Sequence, residues 1–214
     1  RGQVMASTLN NINLKAIYEN GTEVLGESAI SSQGEKIHKV ELEPPNCKPN
    51  PSAIKAIIKA DLIVLGPGSL YTSIMPNLLV PGIVEAIERN NVPVIYVVNV
   101  MTEPGETTGY SASDHLKTIL RHIEPQRLID YVLVNIGDFD RTILERYERQ
   151  GAAPVAVDNK KLEAFGVKVI AKELANSNDL ARHDPGKLAS AIMSVLANVT
   201  FKQRPRQVKQ LKRR

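Results

Sequence analysis

The sequence has 214 residues, of which 43% are hydrophobic, and this size and composition fit one large α/β domain or one domain with a small appendage. A single cysteine excludes an internal disulfide, and no Cys/His group has zinc-binding spacing, so we expect a reducing, cytoplasmic location. The net charge of +4 is concentrated at the carboxyl terminus, and no apolar run reaches the roughly 18 residues of a membrane-spanning helix, so no membrane insertion is expected.

Residues 1–43 carry short runs in which apolar and polar residues alternate. Two of these runs flank the dipeptide Asn20-Gly21. Asn-Gly between alternating runs is a strong signal for a β-hairpin. We therefore predict that residues 1–43 form a small antiparallel β segment of the domain, which the proline-rich stretch 44–51 connects to the rest of the chain.

From Ser52 onward, strand-like and helix-like segments alternate along the chain. Most of the strand-like segments are continuous apolar runs, which is typical of strands buried on both faces of a parallel sheet. The predicted strands lie at 61–66, 92–99, 130–135, 153–158 and 167–174. A last helix follows the capping residue Asp184, with Pro185 at its first position. The repeated strand–helix units predict a Rossmann-like α/β domain over residues 52–201, with a doubly wound, mostly parallel sheet.

The carboxyl-terminal segment 202–214 contains seven Lys or Arg residues and no acidic residue. Such a segment can contact nucleic acid or anionic lipid. No aromatic residue is interleaved with these charges, however, as binding of single-stranded nucleic acid would favour. We therefore expect a disordered, solvated tail and no nucleic-acid partner.

Polar residues are concentrated where the first three predicted strands of the α/β domain end. These exits read GPGSLYTS (66–73), NVMTEPGETTGYSASDH (99–115) and NIGDFD (135–140). In open parallel sheets, ligands bind at the carboxyl ends of the strands. The sequence therefore predicts a binding site at this edge of the sheet.

The first exit contains two glycines, Gly66 and Gly68, that let the backbone approach a ligand closely. The N–H groups of residues 68–70 and the Ser69 hydroxyl are candidate donors to an anion. Tyr71 stands where a dinucleotide fingerprint would have its third glycine, and no P-loop signature follows. From these residues alone, a phosphate-binding turn and a structural turn are equal alternatives.

The second exit is longer than a simple connector needs to be, and long loops in compact domains are often functional. Asn99 and Thr102 are candidate ligand contacts. Glu106 is a candidate for holding a hydrated Mg²⁺ beside a phosphate, with a functionless surface carboxylate as the alternative. His115 is a candidate general base, and Asp114 a candidate acid beside it; the alternative is a helix-capping aspartate followed by a surface histidine.

A third candidate lies in the motif LARHDP, shortly before the last predicted helix. Arg182 in this motif is suited to binding a phosphate through two parallel hydrogen bonds. The alternative is a solvated loop charge.

Three long motifs together resemble a known family. ADLIVLGPGSLYTSIMPNLLVPGI, NVMTEPGETTGYSASDH and LARHDP look like the YvcK/CofD-like family, and the hairpin sequence ENGTEVLGES is similar to its gluconeogenesis-factor branch. The archaeal 2-phospho-L-lactate transferases are more distant members. The resemblance covers nearly all of residues 1–201.

This resemblance implies a Rossmann-like fold that binds a nucleotide or a nucleotide-sugar. Its bacterial branch is associated with UDP-sugar binding, cell shape and wall synthesis during gluconeogenic growth, without an established reaction. Residues at the positions of Asn77, Tyr147 and Arg182 contact the ligand in that branch. We therefore expect a regulatory factor rather than an established enzyme, a homo-oligomer, and cell-wall synthesis proteins as partners.

The transferase branch supplies the alternative function. The resemblance to it implies transfer of a phospholactyl group from a guanosine diphosphate carrier to a deazaflavin, with Mg²⁺ beside Glu106 and Asp114. In either branch the only expected cofactor is Mg²⁺ together with a nucleotide ligand.

The chain departs from the family pattern in two places. It has neither the GGGTG turn nor the DDGGSSG stretch of family members, and Arg1 would fall well inside a longer relative. We therefore expect that one phosphate-binding loop and one or more central strands are missing from this chain. Asp184-Pro185 also leaves no hydroxyl for the phosphorylation that relatives allow after the Arg-His pair.

Overall fold

The structure is a computed structural model that describes residues 2–123, 128–176 and 180–211, with side chains described through residue 198. Its amino-terminal elements are β1 (Asn13–Tyr18), β2 (Glu23–Leu25), α1 (Glu27–Ser31), β3 (Ile37–Glu43) and α2 (Pro51–Lys59). The central elements are β4 (Ile63–Leu65), a π-helical turn (Leu70–Ile74), α3 (Met75–Leu78), α4 (Ile83–Asn90), β5 (Val94–Val97) and α5 (Ala112–His122). The carboxyl-terminal elements are β6 (Tyr131–Asn135), α6 (Arg141–Glu148), α7 (Asn159–Ala164), β7 (Lys168–Lys172), β8 (Ala175–Asn176), β9 (Arg182–His183) and α8 (Pro185–Leu211).

The amino-terminal part forms a three-stranded antiparallel sheet with the order β2-β1-β3. The predicted Asn20-Gly21 turn joins β1 to β2, and Gly21 adopts a φ of 83°, a conformation that glycine enters without steric cost. Leu14, Ala16 and Tyr18 alternate along β1 as buried residues. They belong to the same hydrophobic core as the helices of the α/β unit, so this sheet packs directly against that unit.

Strands β4, β5, β6 and β7 form a parallel sheet in sequence order. Successive side chains of a strand point to opposite faces. Tyr96 packs on the face covered by α4, α5 and α7, whereas Ile95 and Val97 pack on the face covered by α8. Leu188, Ala191 and Val195 form the apolar stripe of α8. Helices therefore cover both faces, and the predicted doubly wound α/β fold is confirmed.

The predicted strand at 153–158 is wrong. Only isolated bridges form there, between Pro154 and Met101 and between Ala156 and Ser111. Pro154 has no N–H to donate to a strand ladder, which explains why no regular strand develops. This segment instead runs along the loop that leaves β5 and forms one of its supports.

Helix α8 begins as predicted, because the Asp184 carboxylate accepts a hydrogen bond from the N–H of Lys187 at 2.8 Å. Its bounds extend to Leu211 and so overlap the basic segment 202–214. The side chains of that segment and residues 212–214 lie outside the described residues, and the disordered tail stays a prediction. Among the residues that the structure describes, no single helix is long and apolar enough to cross a membrane, although Leu70–Leu78 and Ile83–Asn90 together pass by length and composition with a 72° bend.

Candidate functional site

A cleft of about 560 Å³ lies at the carboxyl ends of β4 and β5. This is the edge at which the sequence predicted a site. Five of the eight predicted ligand-binding residues line it: Gly68, Asn99, Thr102, Tyr147 and Arg182. Residues from the first two strand exits form one wall, and residues from α6 and β9 form the other.

The glycine turn after β4 has two parts with different roles. Gly66 adopts a φ of 80°, and a Cβ there would lie 3.2 Å from the carbonyl oxygen of Val97 and 3.1 Å from Ile74 Cδ1. Gly66 therefore lets the turn pack closely against β5, a structural role, while Gly68 lines the cleft. Of the two glycines predicted to contact a ligand, Gly68 lines the cleft and Gly66 does not.

The backbone after Gly68 presents donors that the fold leaves unused. The carbonyl of Ser69 accepts hydrogen bonds from both Ser73 N–H and Ile74 N–H, at 2.9 and 3.0 Å, which widens this turn into a π-helix. The N–H groups of residues 68–70 have no acceptor among the described residues. Successive unpaired N–H groups at the start of a helical turn are suited to binding an anion.

Glu103 is a cleft residue that the sequence analysis did not single out. Its Oε1 accepts a hydrogen bond from Asn99 Nδ2 at 3.0 Å. Burial raises the pKa of the Glu103 carboxyl and the negative charge of Glu106 adds to this, while the Ser69 hydroxyl opposes it. Its place in the polar loop directly after Asn99 was the one sequence signal that favoured it.

Thr102 supports the cleft from behind. Its side chain is only 4% exposed, and its Oγ1 accepts a hydrogen bond from Ala153 N–H at 2.9 Å. Its own N–H donates to the Ala153 carbonyl at 2.7 Å. Thr102 thus fixes the loop after β5 to the segment at 153, and its hydroxyl oxygen is already engaged.

The opposite wall carries a cation and a neutral imidazole. Arg182 is exposed at the rim, on the two-residue strand β9 that pairs with β8. The next residue is His183, and burial lowers the pKa of its imidazole, while the nearby Val98 backbone opposes this. Its Nε2 is buried without a hydrogen-bond partner among the described residues. Tyr147 contributes a half-buried ring beside them.

Asn77 does not line this cleft. Its side chain is exposed, and its Nδ2 donates to the carbonyl of Ser73 at 2.8 Å within its own helical turn. The ligand contact that the family resemblance implied for Asn77 stays a prediction, and Asn77 is not among the residues that line the cleft.

Glu106 also lies outside the cleft. It is 5% exposed and accepts hydrogen bonds from Ser31 Oγ, Thr72 Oγ1 and Tyr71 N–H, at 2.9, 2.7 and 3.2 Å. These three donors occupy the carboxylate, so it ties α1 and the π-helical turn to the loop after β5. The geometry assigns it a structural role in place of the predicted Mg²⁺ contact.

Asp114 and His115 are likewise part of the framework. Asp114 forms a capping box with Ser111 at the start of α5, as the capping alternative predicted. His115 is fully buried, with Nδ1 2.8 Å from the carbonyl oxygen of Ser111, and burial lowers the pKa of its imidazole. It is therefore neither a base in the cleft nor the surface histidine of the alternative reading.

Comparisons with known proteins point to the same family as the sequence motifs. A sequence model of the family described as 2-phospho-L-lactate transferase CofD matches residues 1–175. The chain is 44% identical over 194 residues to a gluconeogenesis factor of Halalkalibacterium halodurans, covering 90% of this chain and 60% of that protein. It is 43% identical over 197 residues to the gluconeogenesis factor of Bacillus subtilis, covering 92% of this chain and 62% of that protein.

A solved structure supports the fold as well. The crystal structure of a UPF0052 family member from Bacillus halodurans matches with a TM-score of 0.87 at 44% identity, over 90% of this chain and 62% of that one. The chain therefore spans about three fifths of the length of the curated relatives it matches.

Proposed function

We propose that this chain, which belongs to the CofD family, binds a nucleotide-sugar of the UDP-sugar type in the cleft and acts as a regulatory factor in cell morphogenesis and wall synthesis under gluconeogenic growth. The family-level role as a gluconeogenesis factor rests on the relatives. What we propose beyond this role is the identity of the ligand and of the regulated process. The proposal also includes three predictions: a cytoplasmic location, a homo-oligomeric state, and cell-wall synthesis proteins as partners.

The observation that carries the proposal is that donors suited to a diphosphate and acceptors suited to hydroxyl groups line the same cleft. The unpaired N–H group of Gly68, which lines the cleft, and the Arg182 guanidinium are donors suited to a diphosphate. Asn99 and Glu103, two and six residues beyond the end of β5, offer acceptors for ribose or sugar hydroxyls. The cleft volume of about 560 Å³ lies within the range of small-molecule sites.

If Mg²⁺ accompanies the ligand, Glu103 is the residue that would contact it. Mg²⁺ beside a phosphate uses one or two carboxylates and keeps several waters. Glu103 is the acidic residue among those that line the cleft, and no group of three or more potential metal ligands occurs in the part of the chain that the structure describes. The metal would therefore bind together with the diphosphate rather than in a site of its own.

Isothermal titration of the protein with UDP-N-acetylglucosamine tests the proposal. Arg182→Ala removes a charge-assisted hydrogen bond and should weaken binding about 10- to 100-fold. Arg89→Ala, at the far end of α4, is the matched control and should bind like the wild type. Absence of binding by the wild type, or equal binding by both variants, would contradict the proposal.

The second candidate function is a phospholactyl-type transferase. It is favoured by the family description and by a cleft carboxyl whose pKa is raised, since such a group can take part in proton transfer. Mg²⁺-dependent turnover with a deazaflavin acceptor and a guanosine diphosphate donor would support it. Binding of the donor without turnover would leave the regulatory function as the better account.

A further inference from the structure

A second cavity of about 380 Å³ lies on another side of the molecule, between β3, α5 and the loop at 108–110. It shares no lining residue with the cleft. A neighbouring hollow of about 360 Å³ continues from it along β3, and the two have His38, Arg121 and His122 in common. The small antiparallel sheet thus forms a groove with α5 that the cleft residues do not reach.

The floor of this cavity is a fixed hydrogen-bond network. The hydroxyl groups of Tyr71 and Tyr110 are 2.8 Å apart. His122 Nε2 accepts a hydrogen bond from Val40 N–H at 3.2 Å, and its Nδ1 lies 2.8 Å from the Thr118 carbonyl oxygen. Since one nitrogen accepts and the other donates, this imidazole is neutral and holds α5 against β3. The Tyr71 hydroxyl donates to the Ile37 carbonyl at 3.4 Å, so the Tyr110 hydroxyl donates to Tyr71 and its proton is engaged in this network.

The charges on the cavity wall are not balanced. Lys36 is neutralised by Glu19, with its Nζ 2.8 Å from Glu19 Oε1. The Asp114 carboxylate is turned toward Ser111, from which it accepts hydrogen bonds at 2.9 and 2.7 Å. Glu19 is thus paired with Lys36, whereas Asp114 keeps its charge and is held at the start of α5, so the three cations of the wall exceed its two carboxylates by one charge.

Lys117 and Arg121 remain without a carboxylate partner among the described residues. They are four residues apart on α5, so they lie on the same face of the helix, one turn apart. Like charges at this spacing repel each other mildly. An anion between them would relieve that repulsion and use their donors.

We propose that this cavity is a second binding site, for a small molecule that carries a phosphate or pyrophosphate group. Arg121 binds the anionic group through its planar fork of donors, and Lys117 binds it as a point charge. The site is independent of the nucleotide-sugar proposed for the cleft.

Titration with inorganic pyrophosphate in the Arg182→Ala protein tests this site, because that background weakens binding in the cleft. The background should still bind one pyrophosphate, and adding Lys117→Gln and Arg121→Gln should weaken this binding by about tenfold or more, since two charge-assisted contacts are lost.

The chain offers a matched control for the loss of two charges. Lys55 and Lys59 are also exposed and four residues apart on one helix, but they line neither cavity. Lys55→Gln with Lys59→Gln should leave pyrophosphate affinity within about twofold, as expected when only screened long-range charge changes. Thermal unfolding of each variant checks that both stay folded.

Three results would overturn the proposal. The first is no pyrophosphate binding in the Arg182→Ala background. The second is equal weakening in the two lysine-containing double variants, which would reveal non-specific attraction to positive charge. The third is unchanged binding after Lys117→Gln and Arg121→Gln, which would place the pyrophosphate elsewhere.

Discussion

The cleft and the layer directly beneath it are built from the same polar loop, yet the carboxylates of the two regions have opposite environments. Glu103 faces the cleft and keeps acceptor capacity for a ligand, whereas Glu106 is buried and its carboxylate is occupied by three protein donors. The two residues are three positions apart. The contrast teaches that polarity at a strand exit marks a functional edge, while the direction of each side chain decides which residue can act.

The largest expected effect comes from removing the buried carboxylate. Glu106→Ala leaves three donors without an acceptor and should destabilise the fold by about 3 kcal/mol or more, because unsatisfied buried polar groups are costly. For a chain of this length that corresponds to a fall of roughly 6–12 °C in Tm. Thermal unfolding measures it, with the exposed Glu163→Ala on α7 as the control that should shift little. A stable Glu106→Ala protein that had lost Mg²⁺-dependent ligand binding would reverse the assignment of the two glutamates.

A smaller effect is expected from the cleft carboxylate, and it should depend on pH. The folded-state pKa of Glu103 is raised above its ordinary value of 4.5, so the folded protein holds this proton more tightly than the unfolded chain. The resulting stabilisation is present below pH 4.5 and is lost as pH rises through the folded-state pKa. Glu103→Gln has no such titrating group. The free energy of unfolding of the variant minus that of the wild type should therefore be larger at pH 7 than at pH 4.

Denaturant unfolding of both proteins at pH 4 and pH 7 measures this difference. The same variant should bind UDP-N-acetylglucosamine about fivefold more weakly at pH 7, because a charged acceptor is replaced by a neutral one. A stability difference that is identical at the two pH values would show that Glu103 is not desolvated in the folded state.

The smallest effect is expected at Asn77. Its side chain bonds only to the Ser73 carbonyl among the described residues and is exposed. Asn77→Ala should therefore change UDP-sugar affinity by less than about twofold and stability by less than about 0.5 kcal/mol. Calorimetric titration decides between this geometry and the contact implied by the family resemblance, which predicts a clear loss of affinity.

Much of the fold could be predicted because the spacing of apolar residues along the chain reflects which side chains are buried. The continuous apolar run at 92–99 indicated a buried parallel strand, and Val94–Val97 is fully buried as β5. The run at 153–158 is also apolar and, like the run at 92–99, contains a proline, yet it forms only isolated bridges. Local composition did not reveal that this segment would follow the loop after β5 rather than join the sheet.

The edge that carries the cleft could also be predicted, but the individual residues could not. Strand exits meet at one rim by topology, which is a property of the pattern. Whether Glu103 or Glu106 turns toward solvent depends on donors from Ser31 and Thr72, which are distant in sequence. His115 was similarly ambiguous, because nothing in the sequence around α5 indicates that it is fully buried.

The central claim is that a diphosphate binds between the turn after β4 and Arg182. A crystal structure of the protein soaked with UDP-N-acetylglucosamine tests it most directly. We expect phosphate oxygens within hydrogen-bonding distance of the Gly68 N–H group and of the Arg182 guanidinium, with a ligand hydroxyl on Glu103. A ligand bound outside the cleft, or one whose diphosphate contacts neither wall, would contradict the account.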